Sequence, residues 1–401
     1  MSKSIIIVGG GAAGYFSAIN IAEKHPDYQV TILEKASQGL AKVRISGGGR
    51  CNVTNERKQP AELVNFYPRG QKKLYSVFKK FTTSDMVDWL KSRGVETQAE
   101  IDQRVFPVSN TSQTIIDCFV NQAARLRIVV KFNTSVKSLV QNGDHWKLET
   151  NRGEEVADVV IYATGSSPSS MAVLTKLGLQ STALAPSLFT FNISDARIKD
   201  LEGLSFRQVK VKVAKTKLED EGPMLITHWG LSGPAILKLS AWGALDLKEL
   251  GYRFQIMLNF TPDLKQEEVR AKISALKSNY SKRKTVNYPL FDLPRRFWER
   301  ICAISEIDED LLNLDLSKKQ INKLTEELTQ GLYHVNGKST FKEEFVTCGG
   351  IDLSEINLDT FECRRFPSLY LAGEVLNIDA LTGGFNFQAC WSGGWVISES
   401  L

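Results

Sequence analysis

Histidine is scarce in this chain, with four copies in 401 residues, and the six cysteines (Cys51, Cys118, Cys302, Cys348, Cys363, Cys390) include no CxxC pair. Metal frameworks need such ligands clustered at short spacing, so none is expected. A chain of this length buries enough apolar surface to need no disulfide staples. The thiols therefore read as reduced and mostly buried, as in a cytoplasmic protein. A dominant charge is also missing: 50 Lys and Arg stand against 45 Asp and Glu, a diffuse excess of +5 that argues against nucleic acid. Long apolar runs are absent too. Ile5 to Ala22 carries no charge, but Gly9, Gly10, Gly11, Gly14 and Asn20 interrupt it as they would not a signal peptide or membrane span. A composition 42% hydrophobic and 24% charged is that of a globular protein, and the length suits two or three domains.

What is present is glycine at particular spacings. Residues 4 to 8 (SIIIV) read as a buried parallel strand. Gly9, Gly11 and Gly14 follow as GxGxxG, then a helix from Tyr15 to Lys24, a strand from Gln29 to Leu33, and Glu34, 20 residues after Gly14. Gly9 permits the tight turn, Gly11 lets a pyrophosphate approach the backbone, and Gly14 lets helix pack on strand. The helix N-terminus offers free N–H groups to phosphate, and Glu34 suits the hydroxyls of a ribose. This much predicts a dinucleotide site and leaves FAD and NAD equal.

Later segments separate the two. Val129–Phe132, Val136–Val140 and Trp146–Thr150 read as a three-stranded antiparallel meander, followed by a buried strand, 158–164, ending in Ala163-Thr164-Gly165. That order resembles flavoproteins of the glutathione-reductase type with two dinucleotide-binding folds. Near the C-terminus, Ser368 to Ala372 is a further strand ending in Gly373-Glu374, where such flavoproteins place an acid on the ribityl chain. Gly383-Gly384-Phe385-Asn386 then opens a last helix whose N–H groups would face the flavin pyrimidine. No second GxGxxG with a following acid occurs, so a separate NAD(P)H domain is not expected.

The loop from Lys42 through Ser46-Gly47-Gly48-Gly49-Arg50-Cys51-Asn52-Val53-Thr54-Asn55 resembles the signature of the bacterial aminoacetone-oxidase-like, BaiN-like FAD family. The same pattern recurs in Arg104-Val105-Phe106-Pro107, in His228-Trp229-Gly230-Leu231-Ser232-Gly233-Pro234, in Cys348-Gly349-Gly350-Ile351 and from Gly373 to Gln388. Asn377, Ala380 and Gln103 depart from it. The resemblance implies noncovalent FAD, an inserted β-barrel-like domain and a small helical domain within the insertion. It also implies oxidoreductase chemistry, with aminoacetone oxidation and conjugated-enone reduction as activities named in the family.

The fold class expected is therefore α/β, a Rossmann-like FAD/NAD(P)-binding fold of the glutathione-reductase type. Its FAD-binding domain spans 1–187 and 346–401, the β insertion 188–260 and 331–345, and the helical subdomain 261–330. The cofactor-binding set is Gly9, Gly11, Ala12, Ala13, Gly14, Glu34, Lys35, Lys42, Ser46, Gly47, Gly48, Arg50, Cys51, Asn52, Val136, Ala163, Thr164, Gly165, Gly373, Glu374, Gly383, Gly384, Phe385 and Asn386. Arg50 is read as a charge for pyrophosphate or flavin, Asn52 and Asn55 as polar contacts to the ring, and Cys51 as a packed small residue rather than a redox thiol. His228 and Ser232 are pocket candidates; His25 and His145 read as surface residues.

In the insertion, Ser187–Ile193, Gln208–Ala214 and Phe254–Asn259 read as strands, and a helical block starts at Thr261 with Pro262 at its first position. Val269, Ile273 and Leu276 give it an apolar face. Ser317 with Gln320 forms a capping box. Lys282-Arg283-Lys284 and Arg295-Arg296 read as a solvated basic face. The function expected is hydride transfer between flavin N5 and a small organic substrate. It runs either as NAD(P)H-linked reduction of an activated alkene, with the nicotinamide a transient donor, or as amine or amino-ketone oxidation. The rivals are a flavoprotein acting on or binding RNA and a non-catalytic redox sensor. The partner expected is a small molecule, with neither nucleic acid nor membrane.

Overall fold

The structure is a computed structural model that describes residues 2–339 and 346–401. It divides into two compact units, Met1–Pro186 with Lys342–Leu401, and Ser187–Phe341. The expected end of the insertion at 345 falls at 340–345, outside the described residues.

The first unit is built on a parallel sheet. Its strands are β1 (Ser4–Val8), β2 (Gln29–Leu33), β3 (Val129–Lys131), β4 (Val159–Tyr162) and β5 (Leu369–Leu371), ordered β5-β4-β1-β2-β3, with two short antiparallel strands beyond β5. In β1, Ile5 to Val8 are buried, as a strand covered on both faces requires. Helix α1 (Ala12–Lys24) follows β1, and α2 (Ala41–Gly49) follows β2. Helix α3 (Ser112–Arg125) crosses over to β3, and α4 (Phe385–Ser400) closes the unit against α1. The contact is close because Gly394 lets the helices meet: a Cβ there would lie 2.8 Å from Ser17 Oγ.

The meander differs from its expected strands. Val129–Lys131 joins the parallel sheet beside β2, and the antiparallel trio is Val136–Asn142, His145–Thr150 and Gly153–Ala157. The reason is topological: α3 completes a β2–helix–β3 crossover, so the first apolar run after it is the next parallel strand.

The second unit carries an antiparallel sheet, including Ser205–Val213, Glu219–Thr227 and Arg253–Asn259, and a helical block. Both share one hydrophobic core, in which Phe206, Phe260 and Phe297 meet with ring centroids 4.6–5.1 Å apart. The helical block starts later than expected. Its first helix is Gln266–Ser274, because Asn259 Oδ1 holds Thr261 N–H in a turn at 2.8 Å and Glu268 caps Lys265 N–H at 2.7 Å. Pro262 therefore lies in the preceding turn. Val269, Ile273 and Leu276 are buried, and the Ser317–Gln320 capping box forms.

Candidate dinucleotide site

The site lies at the C-terminal ends of β1 and β4, where the sheet's strand order reverses. Gly9 leaves β1 with φ +111°, and a Cβ there would stand 2.5 Å from the Ala163 carbonyl oxygen at the end of β4. Gly14 is pressed on the turn; its Cβ would lie 2.0 Å from Gly9 O. Gly11, the N-cap of α1, is the opposite case, since nothing lies within 4 Å of where its Cβ would be. No side chain caps α1 and no acid stands in its first turn. The Ala13 N–H faces the Cys390 thiol, while the N–H groups of Ala12 and Gly14 and the positive end of the dipole are left for an anion.

Glu34 at the tip of β2 is already aimed at this turn. Its Oε2 accepts the Gly10 N–H at 2.7 Å and its Oε1 the Ala36 N–H at 2.8 Å. Lys35 beside it is exposed. Thr134 N–H donates to Glu34 O at 2.8 Å, which brings the chain leading to Val136 to the same edge. On the other side, Gly373 backs on Ala13 Cβ and Cys390 Sγ, at 3.2 and 3.3 Å from its would-be Cβ. Glu374 forms an ion pair with Lys42, and its Oε2 lies 3.7 Å from where a Cβ of Gly165 would be. Ala163, Thr164 and Gly165 thus join Glu374, Lys42 and the α1 turn around one opening.

The glycine loop forms the next wall. Helix α2 breaks at Ser46 (ψ 147°), and Gly47, Gly48 and Gly49 run at φ +58°, +67° and +84°. Open space lies where Gly48 and Gly49 would carry side chains. Cys51 is buried with φ +62°, and burial pushes its thiol up to about 12, which fits the packed role and no redox one.

Several polar groups hold protein to protein. Arg50 lies 4.0 Å over the Phe106 ring and donates to Glu100 Oε1 at 2.7 Å. Asn55 donates to Gly383 O at 3.0 Å, and Asn52, with its amide turned to satisfy both neighbours, accepts from Gly384 N–H and donates to Thr54 O. Asn386 closes a ring with both backbone groups of Ala380, at 2.9 and 3.0 Å. Phe385 stacks on Phe66 at 4.3 Å, and its carbonyl accepts from Tyr67 Oη. Asn52 and Asn55 pin the 50–55 segment to the start of α4, whose N-cap Gly384 would strike Thr54 O with any Cβ, at 2.3 Å. The partnership of Glu100 and Phe106 with Arg50 was missed in the sequence; the 104–107 motif was its only signal.

His228 and Ser232 belong to the second unit. His228 is 83% exposed at the tip of a tight hairpin, 3.8 Å from Glu202 Oε1, and Ser232 Oγ bonds Thr190 Oγ1 at 3.1 Å. His25 caps the end of α1 and stacks on Tyr28; His145 pairs with Asp158 at 2.7 Å. Among the described residues no group of three or more His, Cys, Asp or Glu is placed to hold a metal, and no helix is long and apolar enough to cross a membrane.

The cradle fits FAD. Free helix N–H groups and an open Gly11 suit the pyrophosphate, Glu34 a ribose, and Glu374 a polyol chain.

Comparison with known proteins agrees. The family model described as HI0933-like protein Rossmann domain matches residues 3–400. A ribosomal RNA dihydrouridine synthase of Escherichia coli K12 is 27% identical over 99% of this chain and 97% of its own. A 3-dehydro-bile acid delta(4,6)-reductase of Clostridium scindens is 25% identical over 98% of each. Among solved structures, the 3-ketosteroid delta1-dehydrogenase of Sterolibacterium denitrificans superposes with a TM-score of 0.52 at 10% identity, covering 99% of both chains, a likeness of fold.

Proposed function

The chain belongs to the HI0933-like family of FAD-dependent oxidoreductases, and from that premise we propose that it reduces a carbon–carbon double bond conjugated to a carbonyl, with NADPH or NADH as transient donor. One observation carries this reading. The two relatives named above, whose substrates differ in size and class, are both named for saturating an alkene that a carbonyl polarises. FAD, when bound, would supply the carrier that takes a hydride from the donor and passes it to the electron-poor alkene carbon, the neighbouring carbon taking its proton from solvent.

The chain's own residues bind and orient. The α1 N-terminus and Gly11 receive the pyrophosphate, Glu34 orients the adenosine ribose, and the Lys42–Glu374 pair flanks the linking chain. The N-terminus of α4 offers its dipole to negative charge gathering at the pyrimidine edge, worth about 0.3–2 kcal/mol. The Asn52, Asn55 and Asn386 bonds fix that helix end.

The test is anaerobic titration of the yellow protein with NADH and NADPH, followed by a conjugated enone. The expected outcome is bleaching of the flavin band, then its return on enone addition, with one nicotinamide oxidised per alkene saturated. Bleaching by amines or amino ketones instead, with peroxide released in air, would replace this reading by an oxidase. A second reading, favoured by the E. coli relative, places the conjugated carbonyl in a uracil of RNA. Its mark is hydrogenated uridine, found by mass spectrometry after incubation with RNA and NADPH.

A further inference from the structure

The dinucleotide site uses the first unit and leaves the basic clusters of the second without a role. Residues 270–300 hold nine Lys and Arg against two Asp and Glu, an excess larger than the +5 of the whole chain. The small net charge therefore hides a strong local asymmetry.

Part of that charge frames the fold. Arg296 and Arg300 donate to backbone carbonyls of Asp200, Ala196 and Lys199, and Lys277 to Leu316 O. Lys284 pairs with Asp310 of a neighbouring acidic turn, and Arg295 with Glu299 at 2.7 Å. Arg270, Lys272, Lys282 and Arg283 are exposed and form no ion pair among the described residues.

Aromatic rings stand among them. Tyr280 and Tyr288 pack with centroids 4.2 Å apart, and the Arg283 guanidinium lies 5.8 and 6.0 Å from the two rings. Tyr280 remains 37% exposed. Lys272 Nζ lies 6.0 Å from the Phe291 ring. Arg295 reaches Asn287 Oδ1 at 3.2 Å, beside Tyr288. Cations interleaved with an exposed ring are the chemistry of a single nucleic-acid strand, whose phosphates take the charges and whose bases stack.

We infer that this face, centred on Tyr280, Lys282 and Arg283, binds single-stranded RNA. The inference rests on the second reading above, and it fits a substrate that is a base within a long polyanion. An acidic protein or an anionic membrane would engage the same charges, but neither brings bases to stack on the ring.

The test is fluorescence anisotropy of a short labelled uridine-rich single strand with the FAD-loaded full chain, across a salt series. Affinity should fall with salt by a log–log slope of about −0.7 per phosphate contacted. The double variant K282E/R283E should bind at least about tenfold more weakly with a shallower slope. Tyr280→Ala should weaken binding about tenfold with the slope unchanged. Lys176→Glu, in the first unit, should bind as the parent does. Lack of RNA binding at low salt, binding indifferent to the face variants, or binding to phosphatidylserine vesicles but not to RNA would each overturn the inference. Turnover of a free small enone on the same preparations separates the claims. Enone turnover without RNA binding removes this face and keeps the reductase, whereas RNA binding without enone turnover keeps the face and removes the small-enone reading.

Discussion

At the scale of single residues, the three fingerprint glycines do different work, and substitution separates them. Gly14 is a packing glycine, with a would-be Cβ 2.0 Å from backbone. Gly14→Ala must push α1 off the turn, at a cost of about 1–3 kcal/mol. Its Tm should fall with or without added FAD. Gly11 faces open space at φ −91°, a conformation any residue adopts. Gly11→Val should cost the apo-protein no more than about 1 kcal/mol, the loss of a favoured N-cap residue, and lose at least about tenfold in FAD affinity, since the branched side chain occupies the phosphate position. Unchanged FAD affinity in Gly11→Val would show that the space beside Gly11 is not a ligand's. The glycine roles were legible because each is set by neighbours close in sequence. The asparagine roles were not: Asn52 and Asn55 find their partners at Gly384 and Gly383, more than 300 residues away. A polar side chain in a glycine-rich loop looks the same whether it meets a cofactor or another loop.

At the scale of elements, β1 and β4 are registered by a clamp between Ser4, which begins β1, and Asp158, which precedes β4. Asp158 Oδ2 accepts the Ser4 backbone N–H at 2.7 Å and its hydroxyl at 3.0 Å, and Oδ1 pairs with His145. The Ser4 N–H, then its hydroxyl and His145, hold the Asp158 carboxyl below the usual aspartate value. A depressed carboxyl stabilises the fold above the unfolded-state pKa, about 4, and loses that contribution as pH falls through its folded value. Asp158→Asn should therefore cost about 1 kcal/mol at pH 7, in line with a charge-assisted hydrogen bond on a part-exposed group. Urea unfolding at pH 7 and below pH 4 checks the sign: the gap from the parent should close at the acid end. A gap independent of pH would mean that the carboxylate's charge is not what matters. Elements whose pattern is set locally, such as β1, β2 and the Ser317-capped helix, were read correctly from the sequence. Val129–Lys131 was not, because a short apolar run fits a parallel or an antiparallel neighbour equally well, and only the α3 crossover decides. The start at Gln266 was hidden similarly, since Asn259 and Glu268 set it through side-chain bonds outside any proline rule.

At the scale of the whole molecule, the site residues on the dinucleotide cradle all belong to one of the two units, and that unit is discontinuous in the chain. Its sheet needs β5, and its α1 needs α4, so neither terminal segment can fold it alone. The second unit has a separate core, which its strands and helices share. Removing Phe297 from that core should cost about 3–5 kcal/mol and unfold strands and helices together, because the ring touches both Phe206 and Phe260. The proposed FAD site lies in the other unit. At a hundred times its Kd a ligand of the folded state adds about 2.7 kcal/mol. Calorimetry should then show two transitions in the apo-protein, with FAD raising one and Phe297→Ala lowering the other. If both perturbations move a single transition, the units unfold as one. If FAD moves the transition that Phe297→Ala lowers, the cofactor cradle belongs with the second core and the assignment built on Gly11 and Glu34 fails.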